Sequence, residues 1–204
     1  NASHNNMFVE TLVIDNIDAG TPKSYYFKSY IILDDVVFRT WLVYYFNSSS
    51  ADKTIGNYNT EPEAITYWDV SNVTDMSGAF SEQITFDVSL NNWDVSNVTD
   101  MSNMFDGCSS FNKPLNSWNV SNVSKMTNMF RGCSKFNNSL SNWDVYNVQN
   151  TSNMFYGADL FNQNIQHWEV YNVNTMENMF TYNSYLSQTF QLWRPSLSTI
   201  FKRM

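Results

Sequence analysis

Apolar and polar positions along this chain recur with a period far longer than a helical turn or a strand alternation. Trp68, Trp93, Trp118, Trp143, Trp168 and Trp193 each stand 25 residues after the one before, and the segments between them align without gaps. A fixed period of this length marks a repeat architecture, in which one unit cannot bury its own apolar face and must stack on its neighbours. Reading down the columns separates inside from outside. The positions Val70, Val95, Val120, Val145 and Val170 never change, nor do Val73, Val98, Val123, Val148 and Val173, nor Phe80, Phe105, Phe130, Phe155 and Phe180. Met76, Met101, Met126 and Met176 give way only to Thr151. A further apolar set, Phe86, Phe111, Phe136, Phe161 and Leu186, is followed four residues later by Leu90, Leu115, Leu140, Ile165 and Phe190. These are the expected inward positions of five stacked coils.

Within a unit the pattern predicts two short extended pieces, around Trp-x-Val and Asn-Val-x-x-Met, then a helical turn at S-x-M-F. β-Branched valines favour strands, and Gly107, Gly132 and Gly157 can supply positive φ where the chain bends. Stacking hides the large rings. A Trp that buries about 150–250 Å² at roughly 25 cal/mol per Å² contributes at most about 4–6 kcal/mol per coil.

A stack of this kind needs covered ends. Asp34 to Phe46 places Val37, Trp41 and Tyr44 or Tyr45 on one helical face, with Asp34 or Asp35 as the N-cap, and could cover the first coil. At the far end Trp193 is followed by Arg194 and Pro195, and proline cannot supply a ladder donor, so the repeat is expected to stop there. Phe8 to Ile14 and Tyr25 to Leu33 read as strands around Asp18-Ala19-Gly20-Thr21-Pro22. The expected organisation is 1–33 as a β-hairpin or the remnant of a preceding domain, 34–67 as a helical cap and linker, 68–192 as the five repeats, and 193–204 as a C-terminal cap.

Composition narrows the function classes. A formal charge of −8 and the lack of a basic patch with interleaved aromatics argue against nucleic acid as a partner. The most apolar stretch, Tyr30 to Phe46, is interrupted by Asp34, Asp35 and Arg39 and falls short of the roughly 20 residues of a spanning helix, so no membrane insertion is expected in this segment. The first residue is Asn, which fits a chain from which a signal peptide or precursor segment has been removed. The histidines, His4 and His167, stand near no candidate nucleophile or metal cluster, so no catalytic residue, metal or cofactor is assigned.

Three columns carry candidate chemistry. Asp69, Asp94, Asn119, Asp144 and Glu169 follow the tryptophans; a calcium ladder is one reading, but Asn119 interrupts it and a short side chain with a carbonyl oxygen is what an Asx turn needs. Asn72, Asn97, Asn122, Asn147 and Asn172 include three glycosylation sequons, yet an amide in every coil reads better as a hydrogen-bonded ladder. Asn47, Asn137 and Asn150 are the sequons expected to be accessible. Cys108 and Cys133 share a column; units stacked about 4.8 Å apart would allow a disulfide, whose Cα separation is about 4.4–6.8 Å. Ala158 in the same column favours free, buried thiols.

The unit W-D-V-S-N-V-T-D-M-S-N-M-F-D-G-C-S-S-F-N, residues 93–112, resembles the mycoplasma-type repeat of BspA-like leucine-rich-repeat surface proteins, over residues 68–192. The resemblance implies an α+β repeat protein, an LRR-like right-handed solenoid of five 25-residue coils. It also implies a place at the cell surface or outside the cell, or alternatively in a virion. The family carries no catalytic residues to transfer. The first and fifth units depart from it at Ser81-Glu82-Gln83 and Tyr182-Asn183, where capping is expected to reshape the coil.

Function is therefore sought in the outward columns. Thr74, Asp100, Lys125, Asn150 and Thr175 vary freely, and later coils turn aromatic: Tyr146 and Tyr171 replace serine, with Tyr156, Tyr182 and Tyr185 nearby in sequence. Exposed tyrosines are common anchors. These five are the candidate partner-binding residues for a protein or glycan surface partner in adhesion or protein–protein interaction. The rival expectation is a structural component of a surface layer or a large DNA virus particle, packing against itself or a capsid protein.

Overall fold

The structure is a computed structural model that describes residues 33–47 and 62–200. The strands expected within residues 1–33 lie outside the described residues except at Leu33. Coils are numbered 1 to 5 from Trp68, Trp93, Trp118, Trp143 and Trp168.

Each coil is a succession of turns closed by N–H groups bonding three residues back. Trp93 N donates to Leu90 O at 3.0 Å, Val98 N to Val95 O at 2.9 Å, Met104 N to Met101 O at 3.2 Å, Cys108 N to Phe105 O at 3.0 Å and Phe111 N to Cys108 O at 3.0 Å. Such turns leave the intervening groups free to pair with the next coil. Met101, Asn103, Phe105 and Gly107 donate at 2.8–3.0 Å to the carbonyls of Lys125, Thr127, Met129 and Arg131, and Ser124 N donates back to Thr99 O at 2.9 Å. Single parallel bridges mark the register at Asp75, Asp100, Lys125, Asn150, Thr175 and Ile200.

This corrects the expected α+β, LRR-like right-handed solenoid of strands and helical turns. Among the described residues there are one α-helix, α1 (Asp35–Asn47), one 3-10 helix (Pro62–Tyr67) and no strand. The reason lies in the spacing. Val95 and Val98 are both buried, but positions three apart face opposite sides of a strand. A turn between them brings both inward, and this tertiary demand overrides valine's β preference. The expected helical turn at S-x-M-F fails for a second reason. Asn103, Asn128, Asn153 and Asn178 have φ between 54° and 59°, a left-handed conformation that asparagine tolerates and that breaks a helix.

The edge coils are not reshaped as expected: Glu82 (φ 62°) and Tyr182 (φ 59°) adopt the left-handed turn that Gly107, Gly132 and Gly157 form in coils 2 to 4. Nor does the stack stop at Pro195. Thr175 bridges to Ile200, whose N–H reaches Asn174 O at 2.9 Å. Proline is tolerated because it occupies the column of Val95, Val120, Val145 and Val170, whose N–H groups make no backbone hydrogen bond among the described residues.

The core is aromatic and continuous. Phe80, Phe105, Phe130, Phe155 and Phe180 stack at 5.3–5.7 Å between ring centroids, and Phe86, Phe111, Phe136 and Phe161 at 5.9–6.0 Å. Each buried indole donates to a carbonyl 28 residues earlier: Trp93 to Ile65 O at 2.8 Å, Trp118 to Leu90 O at 2.9 Å, Trp143 to Leu115 O at 3.0 Å, Trp168 to Leu140 O at 3.4 Å and Trp193 to Ile165 O at 3.0 Å. Cys108 and Cys133 are free and buried, and their thiols donate to Phe80 O and Phe105 O at 2.9 and 3.0 Å. Burial pushes the Cys108 thiol up to about 12 and raises Cys133 as well. Neither is a reactive thiolate at neutral pH.

Helix α1 covers coil 1. Asp34 caps it, its Oδ1 accepting the N–H groups of Val36 and Val37 at 3.0 and 2.9 Å. The buried stripe is Phe38, Leu42 and Tyr45; of the expected face Tyr45 is in it, while Val37 and Trp41 are partly buried and pack against the core beside it. Phe38 meets Trp68 and Trp93 edge-on at 6.3 and 5.8 Å. The polar side of α1 stands in for a missing coil. Asp35 accepts the N–H groups of Thr74 and Asp75 at 2.7 and 3.0 Å and the Thr74 hydroxyl at 2.7 Å. One turn later Arg39 donates to Ser77 O at 3.0 Å and pairs with the Asp75 carboxylate at 2.9 Å.

Burial pushes the Asp35 carboxyl up, but hydrogen bonds from the Thr74 hydroxyl and the Asp75 and Thr74 N–H groups outweigh it and hold it below its ordinary value. The sign follows: stability from a depressed carboxyl is present above the unfolded value of about 3.9 and is lost as pH falls through the folded one. Asp35→Asn should therefore be less stable than the wild type at neutral pH, with the gap narrowing below about pH 4; urea midpoints at both pH values measure it. Trp118→Phe removes an indole donor and ring volume, about 1 kcal/mol for the bond and about 1–2 for the packing. Urea unfolding should show a loss of about 2–3 kcal/mol from the sum of those two effects.

Candidate functional site

The column just before the Asn column, Ser71 to Tyr171, and the column two residues after it, Thr74 to Asn174, both change in the last two coils. In every coil a turn joins the two core valines, and in coils 1 to 4 the column after the Trp caps it: Asp69 accepts from Ser71 N at 3.1 Å, Asp94 from Ser96 N at 3.0 Å, Asn119 from Ser121 N at 3.2 Å and Asp144 from Tyr146 N at 3.0 Å. Hydrogen bonds from Ser96 hold the Asp94 carboxyl below its usual value. This is turn capping. Among the described residues no group of three His, Cys, Asp or Glu side chains is placed to hold a metal.

The asparagine after the capped residue ties coil to coil. Asn97, Asn122, Asn147 and Asn172 donate from Nδ2 to Ser71, Ser96, Ser121 and Tyr146 carbonyls at 2.7–2.8 Å. Their amides are engaged in the ladder that the sequence suggests. Two further amide ladders are not foreseen from the sequence. Asn128 donates to Asn103 Oδ1 at 2.8 Å and Asn153 to Asn128 Oδ1 at 3.0 Å. Elsewhere Asn137 N donates to Asn112 Oδ1, Asn162 N to Asn137 Oδ1 and Ser187 N to Asn162 Oδ1, at 2.9–3.0 Å. The repeated S-N-M-F and S-F-N columns are the signals that could have revealed them. Of the sequons expected to be accessible, Asn137 is exposed, whereas Asn150 is half-buried and caps Ser152 N at 2.9 Å.

The variable set belongs to two columns. Asp100, Lys125, Asn150 and Thr175 form the bridge column, where coil backbones pair. Thr74 belongs to the column one residue earlier, which continues as Thr99, Ser124, Gln149 and Asn174. There the hydroxyls of Thr99 and Ser124 fold back onto the preceding coil, on Thr74 O at 3.3 Å and Thr99 O at 3.1 Å. In coils 4 and 5 the longer amides of Gln149 and Asn174 take their place. With Asn147 and Asn172 they line an open cleft of about 330 Å³.

Tyr146 and Tyr171 immediately precede those two asparagines and are 49% and 63% exposed. Consecutive coils carry them, and the Asn172 bond to Tyr146 O links their backbones. Tyr156 and Tyr182 pack edge-to-face at 5.1 Å near the glycine turn, with Tyr182 70% exposed and Tyr156 half-buried. Tyr185 is exposed, and its N–H donates to Asp159 O at 3.2 Å. No ring contact or side-chain hydrogen bond joins Tyr146 and Tyr171 to the other three among the described residues. The five tyrosines fall into separate groups.

No described helix is long and apolar enough to cross a membrane. No curated protein and no solved structure matches the chain. A family model matches residues 45–160 and 138–204, the region of the repeats. It agrees with the mycoplasma-type repeat and does not extend to BspA-like leucine-rich repeats. With most of its length matched, the chain belongs to the family described as Mycoplasma protein of unknown function, DUF285.

Proposed function

We propose that the chain is a non-catalytic surface protein that acts in adhesion or protein–protein interaction through the outer face of its last two coils. The observation that carries this reading is the placement of Tyr146 and Tyr171. In coils 1 to 3 their column holds Ser71, Ser96 and Ser121 on the same capped turn, so the fold does not require a ring there. Two large amphipathic side chains exposed on a rigid turn are what a binding face needs. The resemblance of the repeat to those of BspA-like surface proteins supports a position at the cell surface. The acidic charge of −8 supports a partner other than nucleic acid.

The test replaces the two rings by the residue that the earlier coils hold. Beads coated with the full chain should adhere to cultured epithelial, insect or protist cells, and Tyr146→Ser/Tyr171→Ser should reduce adhesion about tenfold, as loss of a hot-spot contact implies. Sedimentation at micromolar concentration should give a monomer. Self-association that buries both rings, with no adhesion, would favour the structural-assembly role instead.

A further inference from the structure

The cleft lined in part by the residues that directly follow Tyr146 and Tyr171 in sequence has a lining that selects a ligand class. Its four residues, Asn147, Gln149, Asn172 and Asn174, are all amides, with neither a charge nor an apolar side chain among them. Small-molecule sites are ordinarily lined by apolar groups with a few polar ones, and occupy about 300–1,000 Å³. This cleft, at about 330 Å³, reaches that size with the opposite lining. Anions call for cationic side chains or helix N-termini, and hard cations for sets of oxygens whose negative charge comes from carboxylates. The cleft supplies neither. Each amide offers two N–H donors and a carbonyl acceptor, so the complementary ligand is neutral and carries closely spaced groups that both donate and accept.

The amides are unequal in a useful way. Asn147 and Asn172 are pinned by their bonds to Ser121 O and Tyr146 O, which hold their amides in place. Gln149 and Asn174 make no side-chain hydrogen bond among the described residues, whereas Thr99 and Ser124 of the same column bond to their own stack. The column two residues before Val148 and Val173 and the column one residue after them both depart from the earlier coils, serine to tyrosine in the first and hydroxyl to amide in the second. Tyrosine adds an apolar ring face with a polar tip.

We infer that coils 4 and 5 bind a neutral carbohydrate, with the hydroxyls of the sugar on Asn147, Gln149, Asn172 and Asn174 and an apolar sugar face on Tyr146 or Tyr171. The same arrangement repeats from one coil to the next, which suits an oligosaccharide more than a single sugar. The inference rests on the reading of this face as the contact surface, and names its ligand.

The full chain is applied to a printed array of neutral hexose, N-acetylhexosamine and fucose oligosaccharides, with sialylated and sulfated ones alongside. Binding to neutral glycans is expected, with affinity reduced at least about tenfold in Gln149→Ser/Asn174→Thr. Those substitutions restore residues that coils 1 to 3 carry in the same column, so the variant keeps the fold, which an unchanged urea midpoint confirms. No neutral glycan bound, binding to acidic glycans alone, or binding unchanged in the variant would each overturn the inference. Cell adhesion lost in Tyr146→Ser/Tyr171→Ser but intact in Gln149→Ser/Asn174→Thr would overturn it too, while leaving the adhesion reading in place.

Discussion

A buried indole N–H has to find an acceptor, and for Trp93, Trp118, Trp143, Trp168 and Trp193 the acceptor is a backbone carbonyl 28 residues earlier. The carbonyls of Ile65, Leu90, Leu115, Leu140 and Ile165 each accept twice, from the backbone N–H of the Trp three residues on and from the indole of the Trp twenty-eight residues on. A carbonyl oxygen has two lone pairs, so both bonds are satisfied without competition. One atom thereby closes the turn that joins two coils and sets the register of the layer stacked on it. The 25-residue period follows, because inserting or deleting a residue would strand a buried donor at a cost of about 1–3 kcal/mol.

The same constraint explains the first end. A coil built of turns leaves N–H and C=O groups directed at the coil before it, and coil 1 has none. Asp35 and Arg39, four residues apart and so on one side of α1, supply the missing acceptors and donor to Thr74, Asp75 and Ser77. Below them Phe38 supplies a ring for Trp68 and Trp93 to pack against. The 3-10 helix sets Ile65 in the leucine column, which gives the Trp93 indole its carbonyl. Backbone satisfaction and apolar cover come from different faces of one helix.

Much of this is legible in the sequence. Identity of columns locates the inward Val, Met, Phe and Trp positions, since a buried side chain of fixed size leaves no freedom to vary. The nature of the backbone is less plain, because β-branched valines point to strands while the distance between them points to turns. Val95 and Val98 can share one side only across a turn, and their three-residue spacing carries that parity. The left-handed asparagines are harder to see. Asn103, Asn128 and Asn153 look like ordinary helix-surface residues until they are compared with Gly78, which holds the same column in coil 1 at φ 67°. The continuation past Pro195 is hidden because which N–H groups go unpaired is a property of the stack, not of the residue.

The candidate site is half legible for a related reason. Comparing columns assigns meaning to exchanges, and serine to tyrosine at Tyr146 and Tyr171 is conspicuous, whereas hydroxyl to amide at Gln149 and Asn174 resembles surface drift. What separates drift from a site is whether the exchanged group has lost its internal partner. The side chains of Thr99 and Ser124 bond back into the stack and belong to the scaffold; those of Gln149 and Asn174 do not, and line a cleft instead. Between them Val148 and Val173 are fully buried, so the backbone that presents both flanking columns is fixed by the core. A group held on such a backbone has less conformational freedom to lose on meeting a ligand. The repeat thus provides positions at which chemistry can change from coil to coil without disturbing the turn that carries it.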